Sequence, residues 1–261
     1  MLRQEDERAL EMLGELGSRL ATPFFEEPVA RQVLRLLREM GVDHQRDLYG
    51  NIIAHYTHGR VPETHAAAFV AHMDHPGFEV VEIHGEDAIA IVRGGVPEAS
   101  LRQPTRVLIL SPSGQRLSAT TSPEGQASYD HGAQPRRKVR LKLESIVDAP
   151  PPLPAVFDLP DFQLDEEVIT MRALDDLAGC ASILAALERV VRDQESANLY
   201  AVFTRAEEVG LYGARLVAES GELPYDTIVV SVEASSVIPG VAQGKGPIIR
   251  TGDRTSTFND E

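Results

Sequence analysis

The chain has 261 residues, 43% of them hydrophobic, with a formal net charge of -15 and a pI of about 5.0. That composition buries a sizeable core and excludes a disordered chain, while the acidity argues against nucleic acid, whose phosphates ask for a basic face. The single cysteine, Cys180, excludes an internal disulfide framework and fits a reducing, cytoplasmic setting. No run of roughly 18 apolar residues is present, so no membrane span is expected. The opening MLRQEDERALEML lacks the apolar centre of a secretory leader.

Leu10, Leu13, Leu16 and Leu20 recur at helical spacing and predict a first helix over 6–20. A second helix starts near Pro28, follows Val29, Val33, Leu36, Leu37 and Met40, and stops at Gly41. NIIAHY (51–56) and AAAFVA (66–71) read as strands, the latter apolar throughout and so buried on both faces. After residue 76 the texture changes to short β-rich runs bounded by Gly, Pro and Ser, such as FEVVEIHG, RVLILSPSG and KVRLKLESI. The proline cluster DAPPPLPAVFDLP (148–160) marks the return. We read 76–168 as a small inserted β-domain, barrel-like, within a domain made of 1–75 and 169–261.

From residue 170 alternation resumes, with helices at 178–191 and 211–220 and strands at 198–204 and 227–233. Strand–helix–strand order predicts an α/β fold with a mixed, mostly parallel sheet flanked by helices. Ligand sites in such sheets lie beyond the carboxyl ends of the strands. Chemistry-bearing residues cluster there in four motifs. FVAHMDHPG places His72 and Asp74 after one strand, and MRALDDLAG places Asp175 and Asp176 before a helix. FTRAEEVG places Glu207 and Glu208 after a second strand, and VVSVEAS ends a third at Glu233.

So many carboxylates cannot all stay ionised side by side without cations. Imidazole with carboxylates suits Zn²⁺, with Co²⁺ or Mn²⁺ as substitutes, and a shared aspartate can bridge two ions. One carboxylate that is not a ligand is then free to act as acid and base. Taken singly, Asp175 reads as a helix N-cap, His72 as a hydrogen-bonded core histidine, and the Glu207–Glu208 pair as solvated charge. Their coincidence favours the metal. PRRK (135–138) reads as a solvated strand end. GKGP (244–247) lacks the spacing of a phosphate loop, and His44, His55, His58 and His65 have no pairing that suggests a site.

AHMDHPG, ALDDLAG, EEVGLYGA and GKGP, with DLYGNIIA ahead of them, resemble the zinc-dependent exopeptidases with two co-catalytic metals. Within that group the chain is similar to the glutamyl and deblocking aminopeptidases that assemble into tetrahedral particles. The resemblance implies two divalent ions. It makes His72, Asp175, Glu208 and Glu233 metal ligands, with Asp175 bridging, Glu207 the general base, and Asp74 the group that orients His72. It further implies peptide substrates, and a homo-oligomer built through the β-domain. The chain departs from the family pattern at Glu233, His75 and Leu177, where aspartate, glutamate and arginine are usual. The family's last ligand is a histidine near its C-terminus. The last histidine here is His131, which leads us to expect a C-terminally truncated chain. The rival readings are an amidohydrolase or deacylase on the same fold, and a catalytically silent oligomerising or peptide-binding homologue.

Overall fold

The computed structural model describes residues 4–60, 66–123, 137–252 and 257–258. His65, His131, the first half of PRRK and most of the last nine residues lie outside the described residues. Two helices open the chain, α1 (Gln4–Gly17) and α2 (Glu27–Met40). Helix α2 carries a proline in its first turn and ends at Gly41, which adopts φ 70° and returns its N–H to the carbonyls of Leu37 and Arg38. That left-handed stop is the conformation glycine takes at least cost. The predicted stripe is buried: Val29, Val33, Leu36 and Leu37 are at most 1% exposed. Burial of each contributes about 1.5–3 kcal/mol.

Three strands follow, β1 (Asp43–Arg46), β2 (Ile52–His58) and β3 (Ala67–His72). Six more, β4 (Gly77–His84), β5 (Asp87–Arg93), β6 (Arg106–Leu110), β7 (Arg116–Ser122), β8 (Lys138–Leu143) and β9 (Leu153–Phe157), close into a barrel in the order β4-β5-β8-β7-β6-β9. Alternation places Val107, Ile109, Val139, Leu141 and Ala155 inside it, around Phe78. A hairpin of β10 (Gln163–Asp165) and β11 (Val168–Thr170) leads to α3 (Leu174–Arg192), β12 (Ala197–Thr204), α4 (Tyr212–Ser220) and β13 (Ile228–Ser231).

The main sheet has the order β1-β2-β12-β3-β13. It is mixed, as expected: β12 and β13 pair with β3 in parallel, while β2 pairs antiparallel with β1 and β12. Helices α1, α2 and α3 share one core with Ile52, Ala54, Ala71, Ala201 and Phe203 on one face of the sheet. Val217 of α4 meets Ile53 and Val202 on the other. Strand β3 is less enclosed than its apolar sequence suggests. Ala68, Ala71 and His72 are buried, but Ala67, Phe69 and Val70 are only partly covered, because the β13 neighbour is itself exposed. Among the described residues no helix is long and apolar enough to cross a membrane.

The chain leaves β3 and enters the barrel within a few residues, and His75 fastens that crossing. Its backbone N–H donates to the Ala21 carbonyl at 2.9 Å. Its Nδ1–H donates to the Pro76 carbonyl at 3.0 Å, and Nε2 accepts the Ala21 N–H at 3.4 Å. Burial pushes the ring down from its ordinary 6.5 to about 4. A histidine held neutral contributes stability that is complete above about 6.5 and is lost as pH falls through about 4. The wild type should therefore lose about 3 kcal/mol between pH 7 and pH 4 that His75→Gln does not lose. Urea unfolding at several pH values checks this, and identical pH slopes for the two proteins would contradict it.

Candidate active site

Because β12, β3 and β13 are parallel neighbours with β3 in the middle, their carboxyl ends lie side by side on one edge of the sheet. Thr204 registers with His72, and Ser231 with Val70. Each motif therefore emerges beside the next: His72 at the end of β3, Glu207 and Glu208 after β12, Glu233 after β13. Helix α3 packs across β3 and delivers Asp175 from its first turn.

The four groups meet at one imidazole nitrogen. His72 is buried, at 3% exposure, and its Nε2 lies 3.1 Å from Asp175 Oδ1, 3.6 Å from Glu233 Oε1 and 3.7 Å from Glu207 Oε2. His72, Asp175 and Glu233 each offer one ligand atom within 4.8 Å of the others, and they form the one such group of three found among the described residues. Donor atoms about 2.1 Å from a tetrahedral ion stand about 3.4 Å apart, which these separations bracket.

Asp74 serves the site in a way its position did not suggest. Its main-chain carbonyl takes the His72 Nδ1–H at 2.9 Å, whereas its carboxylate Oδ1 is 3.7 Å from Nδ1. The carboxylate, fully buried, accepts instead the backbone N–H groups of Glu207 at 3.0 Å and Glu208 at 3.2 Å. One residue thus fixes both the ring and the adjacent glutamates. The carbonyl on Nδ1 sets the tautomer that leaves Nε2 free to coordinate.

The helix-cap role falls to Asp176, not Asp175. Asp175 and Asp176 both lie off helical geometry. Asp176 is buried, accepts the Gly179 N–H at 3.2 Å, three residues on, and takes the His72 N–H at 3.2 Å. Burial pushes its carboxyl up to about 8. Asp175 is left half-exposed and turned toward His72. Sequence reasoning assigned nothing to Asp176; the doubled aspartate followed by a glycine three residues later was the available signal.

Glu208 stands apart from the cluster. Its Oε2 accepts the Gly95 N–H of the barrel at 3.2 Å, and burial raises its carboxyl to about 7. Gly94, at φ 78°, lets the barrel approach this closely: a Cβ there would sit 3.0 Å from the Glu208 side chain. The inserted barrel thereby reaches the edge of the site.

Burial alone would lower His72, yet hydrogen bonding from Asp175 and its acidic neighbours drives it well above the ordinary range. Burial likewise raises Glu207, opposed by His72 and reinforced by Glu233, Asp74 and Asp175. Nδ1 is committed to a carbonyl, so an unprotonated Nε2 would aim a lone pair at three carboxylates. The residues fit a divalent cation, which replaces that proton and offsets the acids at once.

Fold and sequence comparisons bear on the same residues. Residues 152–261 match the model of the M42 glutamyl aminopeptidase family. A protein of Acetivibrio thermocellus, provisionally named an aminopeptidase, is 26% identical over 98% of this chain and 77% of its own length. The dodecameric PhTET1-12s structure superposes with TM-score 0.78 at 23% identity, covering 96% of this chain and 77% of that one. The TET1 peptidase of Pyrococcus horikoshii, described as assembling into a tetrahedron or a large octahedral shell, gives 0.72 at 23% identity over 91% and 73%. The family match is to a class of peptidases; the solved structures, each under 25% identical, show the fold. The likeness to the glutamyl aminopeptidases drawn from the motifs holds over 152–261 in the family match, and the fold agrees over nearly the whole chain with the TET1 structures.

Ligand count leads to a titration result. Zn²⁺ added to metal-free protein should fill a tight site through His72, Asp175 and Glu233, and a weaker one through Asp175 and Glu208. His72→Ala should lower the tight affinity by about 10- to 100-fold or more. Two ions of equal affinity in calorimetry would contradict this ordering.

Proposed function

We propose that the protein is a metal-dependent aminopeptidase that removes N-terminal residues from peptides, with a dinuclear centre of Zn²⁺, for which Co²⁺ or Mn²⁺ can substitute. The convergence of His72, Asp175, Glu207 and Glu233 at the shared end of three parallel strands carries this reading. His72, Asp175, Glu208 and Glu233 would hold the ions. Bound there, divalent metal supplies a Lewis acid for the scissile carbonyl and the attacking water.

The chain's own residues do the rest. Glu207, 30% exposed and held by its backbone to Asp74, accepts the proton of the attacking water and returns it to the leaving amine. Its carboxyl is raised by burial and by its acidic neighbours, which suits a group that must take up a proton and release it. The acidic rim favours a substrate presenting a free ammonium group. The barrel, by resemblance, would join copies of the chain into a closed particle.

A panel of aminoacyl-anilides with added Zn²⁺, Co²⁺ or Mn²⁺ tests the activity, and N-acetylated versions should not turn over. Glu207→Gln should lower kcat by about 10²–10⁴-fold while metal content stays the same. Loss of metal together with turnover would make Glu207 a ligand, and no turnover by the wild type with any metal would overturn the reading.

A further inference from the structure

The loop that carries Glu207 is anchored by a group outside the site. Each backbone N–H from residue 205 to 208 donates to a side-chain oxygen from elsewhere in the chain. Arg205 N–H reaches Asn51 Oδ1 at 3.1 Å, and Ala206 N–H reaches Glu26 Oε1 at 3.0 Å. Glu207 and Glu208 reach Asp74. Ala206 sits at φ 52°, a left-handed conformation that a residue with a Cβ adopts only when its surroundings impose it.

Glu26 supplies that constraint. It is fully buried. Oε1 accepts the Phe24 N–H at 2.8 Å as well as that of Ala206, and Oε2 accepts Arg205 Nε at 2.7 Å with Nη2 at 2.6 Å. Arg205 in turn donates to the Tyr49 carbonyl at 2.5 Å and the Phe24 carbonyl at 3.1 Å. Asn51, also buried, closes the assembly by donating to Asp47 at 2.6 Å and toward the Gly213 carbonyl at 3.4 Å. Gly213 leaves no room for a Cβ, which would collide with the Arg205 backbone and with Asn51 Oδ1. The Glu26–Ala206 contact joins groups some 180 residues apart in sequence and falls on the residue directly before Glu207.

We infer that Glu26 is a positioning residue: by holding Ala206 in its left-handed conformation it aims the Glu207 carboxylate at the reacting water. The inference rests on the reading of Glu207 as general base.

Glu26→Gln keeps the size of the side chain but cannot accept all four donors. The metal-loaded variant should lose about tenfold or more in kcat with KM within about threefold, since a small misplacement of a catalytic group costs rate before binding. Zn²⁺ titration of its His72 cluster should match the wild type. Amide hydrogen exchange over 205–208 should quicken by about tenfold or more, while helix 174–192 keeps its protection. Ala206→Gly in the Glu26→Gln background should recover at least about threefold in kcat, because glycine takes φ 52° unaided. Wild-type kcat in Glu26→Gln, or parallel loss of kcat and metal, would overturn the inference. Should that variant not fold, exchange in the wild type decides: Ala206, Glu207 and Glu208 amides exchanging as fast as an unstructured chain would refute it. A wild type without turnover would sink the general-base reading yet leave the exchange result to stand or fall alone.

Discussion

Several carboxylates crowd one buried imidazole. Partly exposed though they are, Asp175, Glu207 and Glu233 repel one another, and each additional negative charge makes the next harder to ionise. His72 relieves this by taking a proton it would otherwise shed on burial, because hydrogen bonding from Asp175 and its acidic neighbours raises its proton affinity. A divalent cation does the same with more charge and with directional bonds. A positive charge at Nε2 suits the tautomer set by the Asp74 carbonyl, the turn of Asp175 toward His72, and the position of Glu233 beyond the end of its strand.

The scaffold assembles this cluster through topology and backbone hydrogen bonding. Placing β3 between β12 and β13, all parallel, brings three chain crossings to one edge of the sheet. Acids contributed by distant segments then become neighbours without any long excursion. What the strands do not fix, buried side chains do. Asp74 holds two backbone amides, Asp176 holds the start of α3 and the end of β3, and the Glu26–Arg205 pair holds the turn before Glu207. Each of these carboxylates is buried and each is hydrogen-bonded, so its desolvation is offset while the site stays rigid.

Much of this was legible in the sequence, and the exceptions have physical causes. Helices α2 and α3 follow the 3.6-residue period of their apolar residues, and β12 carries the apolar run LYAVF, so local pattern sufficed. The acids at strand ends could be found because the edge of an α/β sheet is where side chains escape the core. Strand β1, DHQR, has no apolar face and forms only because β2 offers it an edge. Closure of the barrel depends on β9 pairing with both β4 and β6, contacts far apart in sequence. Sequence reasoning assigned no role to Glu26 or to Asp176. Their roles arise from groups brought together only by folding, which no local spacing records.

The central claim is that His72, Asp175 and Glu233 enclose a cation. Diffraction from crystals soaked in Zn²⁺, recorded on either side of the zinc absorption edge, tests it most directly. The account predicts the strongest anomalous peak within bonding distance of His72 Nε2 and one oxygen from each of Asp175 and Glu233, at about 2.0–2.2 Å. No peak there, or a zinc ion held elsewhere while His72 keeps its contacts with the bare carboxylates, would contradict it.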